Sequence, residues 1–272
     1  MEPVIIDYEI CNKDGLCSEV CPRKLIEIHE DRPVPVIGIE NLCIHCGHCL
    51  SVCPKGAISV NGSRPDDCKK IDEKQQATYG QLDQLMRSRR SIRLYKQKPV
   101  ERGIIQKIMD TCRYSPTGSN AQQVKWIIAD DQDKIGELAQ LTIDWMKEAI
   151  RSSHPLSATL PLASVVDGWD KGEDRIFRGA PMVLMTHSPR LGSLPLESCV
   201  IAMTYFDLVA ASLGLGTCWV GLFMVAATQH PPIRRALGLP TDHMIYGTMI
   251  AGYPKFAYQR IPDRNQPQVA WL

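Results

Sequence analysis

The chain has 272 residues, 44% hydrophobic and 22% charged, with a formal net charge of +1. That length can bury a core without disulfide staples, and the small basic excess, with no dense Lys/Arg run, argues against nucleic-acid binding. Charge is uneven, however: residues 1–80 carry 13 Asp/Glu against 9 Lys/Arg, residues 81–272 carry 17 against 22, and eight of the 11 cysteines lie in the first 80. A small acidic domain over 1–75 and a larger, mildly basic one over 76–272 are therefore expected. Free thiols in that number point to a reducing cytoplasm rather than a disulfide framework, and the start Met-Glu-Pro-Val-Ile-Ile-Asp lacks the charged-then-apolar order of a signal peptide.

The first domain contains Cys11-Asn-Lys-Asp14-Gly-Leu-Cys17-Ser-Glu-Val-Cys21-Pro22 and, 32 residues on, Cys43-Ile-His-Cys46-Gly-His-Cys49-Leu-Ser-Val-Cys53-Pro54. Four cysteines at spacings of two, two and three residues, closed by proline, form the bacterial ferredoxin pattern for an iron–sulfur cubane, whose fourth cysteine serves the other cluster of a two-cluster protein. Zinc uses Cys-x-x-Cys pairs as well, but draws them from two pairs with a longer spacer. Exchange of the fourth ligand predicts one [4Fe-4S] cluster on Cys43, Cys46, Cys49 and Cys21, and a second on Cys11, Asp14, Cys17 and Cys53. A carboxylate is a harder ligand than a thiolate, so the Asp14 corner should be labile, giving an Asp-ligated [4Fe-4S] or a [3Fe-4S] cluster; the alternative is a loop residue with water in that corner. His45 and His48 are expected to tune the cluster surroundings, and Cys68 to be a spare thiol.

Leu25-Ile-Glu-Ile and Ala57-Ile-Ser-Val follow the two Cys-Pro endings and read as short strands, so the domain is two copies of one half. Pro33 and Pro35 mark the connection, and residues 62–76 read as a linker. Further on, helices are expected over 79–88, 102–114, 134–150 and 197–213, and strands at 126–129, 182–185, 218–220 and 244–251. Residues 152–175, rich in Ser, Pro and Gly, read as a surface excursion over the pocket. Tyr205 to Ala227 is long enough to cross a bilayer, but Gly214, Gly216 and Gly221 interrupt it. A buried helix ending at Gly214, then a turn and a strand, is the reading, and no membrane association is expected. Helices alternating with strands give a mixed α/β layer fold.

Arg89-Arg-Ser-Ile-Arg93 places three guanidiniums and a hydroxyl within five residues, suited to a phosphate. Ser115-Pro-Thr-Gly-Ser-Asn120-Ala-Gln122 is a loop dense in small donors that can read the polar edge of a flavin ring. With Gly214-Leu-Gly-Thr-Cys-Trp-Val-Gly221 and Gly252-Tyr-Pro, these motifs resemble the nitroreductase family over about residues 80–265, and the whole chain is similar to ferredoxin–nitroreductase fusions. One departure is Gln123-Val124, where the family commonly has Gln-Pro-Trp. The resemblance implies an α+β fold: a two-cluster ferredoxin-like domain followed by a three-layer α/β/α domain that binds FMN at the interface of a homodimer. Carried over, it places Arg89, Arg90, Ser91 and Arg93 on the FMN phosphate and ribityl chain. It places Pro116, Thr117, Gly118, Ser119, Asn120 and Gln122 on the isoalloxazine from the other subunit, the backbone of Val220 and Gly221 near N5, and Arg260, or failing it Arg264, on the phosphate.

The implied activity is an oxidoreductase passing electrons from a donor through clusters to FMN, and on to a small electron-poor acceptor such as a nitroaromatic, quinone or activated alkene. A redox carrier or sensor without substrate turnover is the alternative. In Gly214-Leu-Gly216 the third glycine of a dinucleotide fingerprint is replaced by Trp219, so a ferredoxin-like donor is favoured over NAD(P)H. No side chain is assigned as catalytic, because the flavin carries the redox chemistry and the protein orients it.

Overall fold

The structure, a computed structural model, describes residues 2–272. They divide into two compact units: one comprises the chain to Gln76 together with Ser119–Ala121, and the other Ala77–Gly118 with Gln122–Leu272.

The first unit runs β1 (Val4–Ile6), α1 (Leu16–Glu19), β2 (Ile26–His29), β3 (Arg32–Pro35), α2 (Ile39–Leu42), α3 (His48–Val52) and β4 (Ile58–Val60). β1 pairs antiparallel with β4, setting Val4 opposite Val60 and Ile6 opposite Ile58. The expected duplication is visible in the backbone. Gly15 and Gly47, at φ 74° and 73°, open α1 and α3, and Lys13 and His45 before them are also left-handed. Each loop, after Asp14 in the first repeat and Cys46 in the second, thus folds back on itself to start a one-turn helix, and glycine supplies the required φ without strain. The reading of Pro33 and Pro35 as a connection is corrected: both lie in β3, opposite Ile28 and Ile26. A two-stranded ribbon consists of edges alone, so it tolerates missing N–H donors, and Glu30 and Asp31, both at positive φ, close it as a two-residue turn.

The second unit contains α4 (Tyr79–Ser88), α5 (Arg102–Cys112), β5 (Lys125–Ala129), α6 (Gln132–Arg151), α7 (Leu156–Thr159), α8 (Leu162–Asp170), β6 (Met182–Pro189), α9 (Pro195–Ser212), β7 (Gly216–Trp219), α10 (Gly221–Gln229), α11 (Pro231–Ala236) and β8 (His243–Gly252). The strands form one antiparallel sheet in the order β5-β6-β8-β7. β6 and β8 are buried on both faces, and alternation divides their side chains between two cores. Val183, Met185, Ile245 and Ile250 pack with α6, α8, α10 and α11, whereas Met182, Leu184, Met249 and Ala251 pack with α5 and α9. The unit is therefore α+β with helices on both faces of the sheet. Among the described residues no helix is long and apolar enough to cross a membrane.

Residues 152–175 are not a bare surface excursion, as their composition suggested. Leu162 and Val165 of α8 are buried in the core that α6 builds. Pro155 and Pro161 sit at the N-caps of α7 and α8, ahead of the helix interior, so their missing N–H groups break no intrahelical bond. α10 and α11, which follow β7, had no counterpart among the expected helices.

β6 and β8 also bury a histidine pair. His187 and His243 are 5% and 4% exposed, with their Nδ1 atoms 2.8 Å apart, so one ring donates and the other accepts. Burial, then His243 and Lys125, pushes His187 down to about 4 from 6.5. A depressed histidine contributes stability that is complete above the unfolded-state value near 6.5 and is lost as pH falls toward 4, because the unfolded chain then binds the extra proton. Melting temperature should fall between pH 6.5 and 4, and the fall should be shallower in His187→Gln, which keeps a polar partner without the titration. Parallel pH profiles would contradict this account.

Candidate functional site

In the first unit, Cys21, Cys43, Cys46 and Cys49 line one cavity, walled by the apolar side chains of Leu25, Ile26 and Ile39. These are the four cysteines that ligand exchange groups together. Burial pushes the Cys49 thiol up to about 11, with the nearby Cys46, Cys21 and Cys43 adding to the rise. Holding them as thiolates would require a compensating cation, which an iron–sulfur cluster supplies. Among the described residues no three His, Cys, Asp or Glu side chains form a group that could hold a metal ion.

The second set is less symmetric. Cys17 is buried and its thiol is raised, by burial first, with Cys11 and Asp14 among its electrostatic neighbours. Cys53 Sγ accepts from Ala57 N at 3.3 Å, as Cys21 Sγ accepts from Leu25 N at 3.3 Å, so the Cys-Pro ends of both repeats have the same local geometry. Asp14 departs from its repeat-mate Cys46. Its Oδ1 accepts from Leu16 N at 3.1 Å, and the residue is exposed where Cys46 is half-buried. Asn120, in the short segment grouped with this unit, donates from Nδ2 to the carbonyls of Ile44 (3.0 Å) and His45 (3.1 Å).

In the second unit, α4 ends at Arg89, and the chain after it lies along the sheet edge. Ile92 N donates to Thr217 O of β7 at 2.8 Å, Lys96 N to Tyr253 O at 2.9 Å, and Lys255 N to Leu94 O at 3.0 Å. Tyr95, 6% exposed, anchors the segment through its hydroxyl to Ile92 O at 2.6 Å. The close approach requires Gly216: a Cβ there would lie 2.7 Å from Ile92 Cβ and 2.9 Å from Pro254 Cγ.

These contacts bring Arg89, Arg90, Lys96 and Lys255 around one pocket of about 460 Å³, closed by residues 214–217 and by Asp207 of α9. Asp207 is 7% exposed; Thr217 donates its hydroxyl to Oδ1, and Arg89 Nη1 lies 3.3 Å from Oδ2. Ser91 and Arg93 line a smaller adjoining recess with Phe256 and Tyr258. The volume and the four cations suit a small anionic ligand.

The remaining carried-over residues lie elsewhere. Pro116, Thr117, Gly118, Ser119, Asn120 and Gln122 do not line the basic pocket, nor do Val220, Gly221 or Arg260. Around that loop, Gly118 N donates to Ser198 Oγ at 3.3 Å and Gln122 N to Thr117 Oγ1 at 3.0 Å. Val220 spends its amide on Thr248 O, leaving Gly221 as the first residue of α10. Arg260 and Arg264 are exposed in the extended tail, whereas Lys255, earlier in the same tail, reaches the pocket. Sequence reading missed Lys96, Lys255 and Asp207. The first two carried a usable signal as the cations nearest the Arg-rich and Gly-Tyr-Pro motifs.

Residues 86–253 match the model of the nitroreductase family. The chain belongs to the nitroreductase family. Residues 10–57 match the 4Fe-4S dicluster domain, so this nitroreductase carries an N-terminal cluster-type domain. A protein of Archaeoglobus fulgidus named as an NADH dehydrogenase/NAD(P)H nitroreductase is 22% identical over 172 residues, covering 62% of this chain and 82% of its own. One of the same name from Methanothermobacter thermautotrophicus is 24% identical over 172 residues, covering 62% and 75%. Among solved structures, a nitroreductase with bound FMN from Bacteroides fragilis aligns with a TM-score of 0.57 and 20% identity, over 70% of this chain and 98% of its own. A second, also with bound FMN, from Desulfitobacterium hafniense, aligns at 0.55 and 19%, over 69% and 96%.

Gly216→Ala should drive the residue 89–95 segment off β7 and cost about 1–3 kcal/mol of stability by overpacking. Thermal or denaturant unfolding of the variant checks this, and an unchanged midpoint would contradict the role given to the close approach.

Proposed function

We propose that this nitroreductase-family oxidoreductase is an FMN- and iron–sulfur-dependent enzyme. It transfers electrons from a ferredoxin-like or nicotinamide donor to an electron-poor acceptor such as a nitroaromatic, quinone or activated alkene. The observation that carries the flavin reading is the pocket of Arg89, Arg90, Lys96 and Lys255, whose cations and volume suit a phosphorylated small molecule; relatives of the same fold hold FMN. When bound, FMN supplies two-electron redox chemistry and the clusters supply one-electron chemistry.

The chain's own residues bind and orient. Arg89 and Arg90, with Lys96 and Lys255, hold the phosphate, and Ser91 and Arg93 lie beside them for the ribityl chain. The family resemblance gives the amide of Gly221, at the start of α10, a role at the flavin edge, although the residue does not line the basic pocket. Since Pro116, Thr117, Gly118 and Gln122 do not line this pocket, a part for them in it would come from a second copy. Two features support a homodimer. α4 buries none of its residues despite its capping box at Thr78 and Gln81, leaving Leu82 and Met86 exposed; the tail exposes Phe256, Tyr258, Ile261 and Trp271. In the first unit, Cys21, Cys43, Cys46 and Cys49 hold one [4Fe-4S] cluster, and Cys11, Cys17 and Cys53, with Asp14 at the weak corner, hold the other.

Anaerobic purification should return about one FMN and about seven or eight iron atoms per chain, for one cluster of four irons and one of three or four. Cluster loss in Cys49→Ser with FMN retained would support the separate assignment, and a preparation carrying a single zinc would overturn it. Mild oxidation should produce a [3Fe-4S] EPR signal that Asp14→Cys abolishes. Its absence from the oxidised wild type would count against a labile corner.

A further inference from the structure

Asp207 is the one acidic residue of the stretch from Tyr205 to Ala227 and is buried on α9, where most neighbours are apolar. A buried carboxylate is costly unless charged and hydrogen-bonding partners compensate it. Here it has both: Oδ1 accepts the Thr217 hydroxyl, and Oδ2 faces the Arg89 guanidinium at 3.3 Å. Thr217 is itself fixed by the backbone bond from Ile92, so the carboxylate, the hydroxyl and the guanidinium sit on three separate elements held in register.

We propose that Asp207 is a positioning residue that holds Arg89 for the phosphate of the flavin and so makes the pocket select FMN over unphosphorylated riboflavin. The proposal rests on the FMN reading above. An arginine at a helix end otherwise distributes over many rotamers, and fixing it in advance removes an ordering cost from ligand binding. Asp207 engages one terminal nitrogen of Arg89, leaving the rest of the guanidinium fork to donate to an anion. Around the pocket the charged groups are Arg89, Arg90, Lys96, Lys255 and Asp207. Asp207 offsets one of the four cations, and the remaining excess of three positive charges is enough to neutralise a phosphate dianion. A clamp serving merely to attach the end of α4 to α9 would instead affect any ligand of the pocket equally.

The test is equilibrium binding of FMN and of riboflavin to the flavin-depleted full chain, followed by flavin fluorescence. Wild type should prefer FMN. Asp207→Asn keeps an acceptor for Thr217 but removes the charge; it should weaken FMN binding roughly tenfold or more while leaving riboflavin binding within about twofold. Thr217→Val, which frees the carboxylate on its other side, should show the same selective loss to a smaller degree, and it decides the matter if Asp207→Asn does not fold. Equal losses for both ligands, or undiminished preference for FMN, would overturn the proposal while leaving the FMN site standing. A wild type that does not distinguish FMN from riboflavin would overturn the phosphate assignment and this inference with it.

Discussion

The seam along which residues 89–96 lie against β7 and the chain after β8 is the constraint on which the second unit's chemistry depends. It is made of backbone hydrogen bonds from Ile92, Lys96 and Lys255, and Gly216 permits it because a side chain there would collide with Ile92 and Pro254. Backbone bonds fix position more firmly than long cationic side chains can, since those side chains lose rotamer entropy whenever they are ordered. The fold therefore sets the Cα positions of Arg89, Arg90, Lys96 and Lys255 first, and the charges converge as a consequence. Behind the seam, a sheet whose central strands are buried on both faces gives it a rigid floor.

The first unit solves a different problem. Among the described residues its core cluster contains eight buried residues, Cys17 among them, few for an independent domain, and the partly buried cysteines pack against that same core. Thiols crowded into an apolar cavity resist ionisation, as the rise at Cys49 shows, so a cluster held there as proposed would couple its binding to folding. The two repeats share their left-handed turns and their Cys-Pro ends, and differ at one ligand position. At that position Asp14 accepts a hydrogen bond from its own backbone at Leu16, a contact with no counterpart at Cys46.

Much of this was legible because the residues concerned have narrow physical meanings. Cysteine spacing and Cys-Pro endings identified the first unit, and Gly214, at φ 78°, ended the apolar helix where a left-handed residue is needed. The Arg-rich motif was found, but its full electrostatic partner set was not. Lys96, Lys255 and Asp207 are brought together by antiparallel pairing and helix packing far apart in sequence, which local pattern does not encode. α7 and α8 were hidden by proline and serine content that marks helix starts as well as loops. β3 was hidden by two prolines that a ribbon made only of edges can accept. Arg260 was favoured by motif position, whereas the geometry of the tail delivers Lys255.

We propose that electrons reach the flavin by way of the cysteine-rich unit. Anaerobic stopped-flow absorbance of the holoprotein, mixed in turn with reduced ferredoxin, NADH and NADPH, tests it most directly by resolving cluster bleaching from flavin bleaching. The account predicts that the clusters bleach before the flavin or together with it. Flavin bleached by a nicotinamide while the clusters stay oxidised would contradict it.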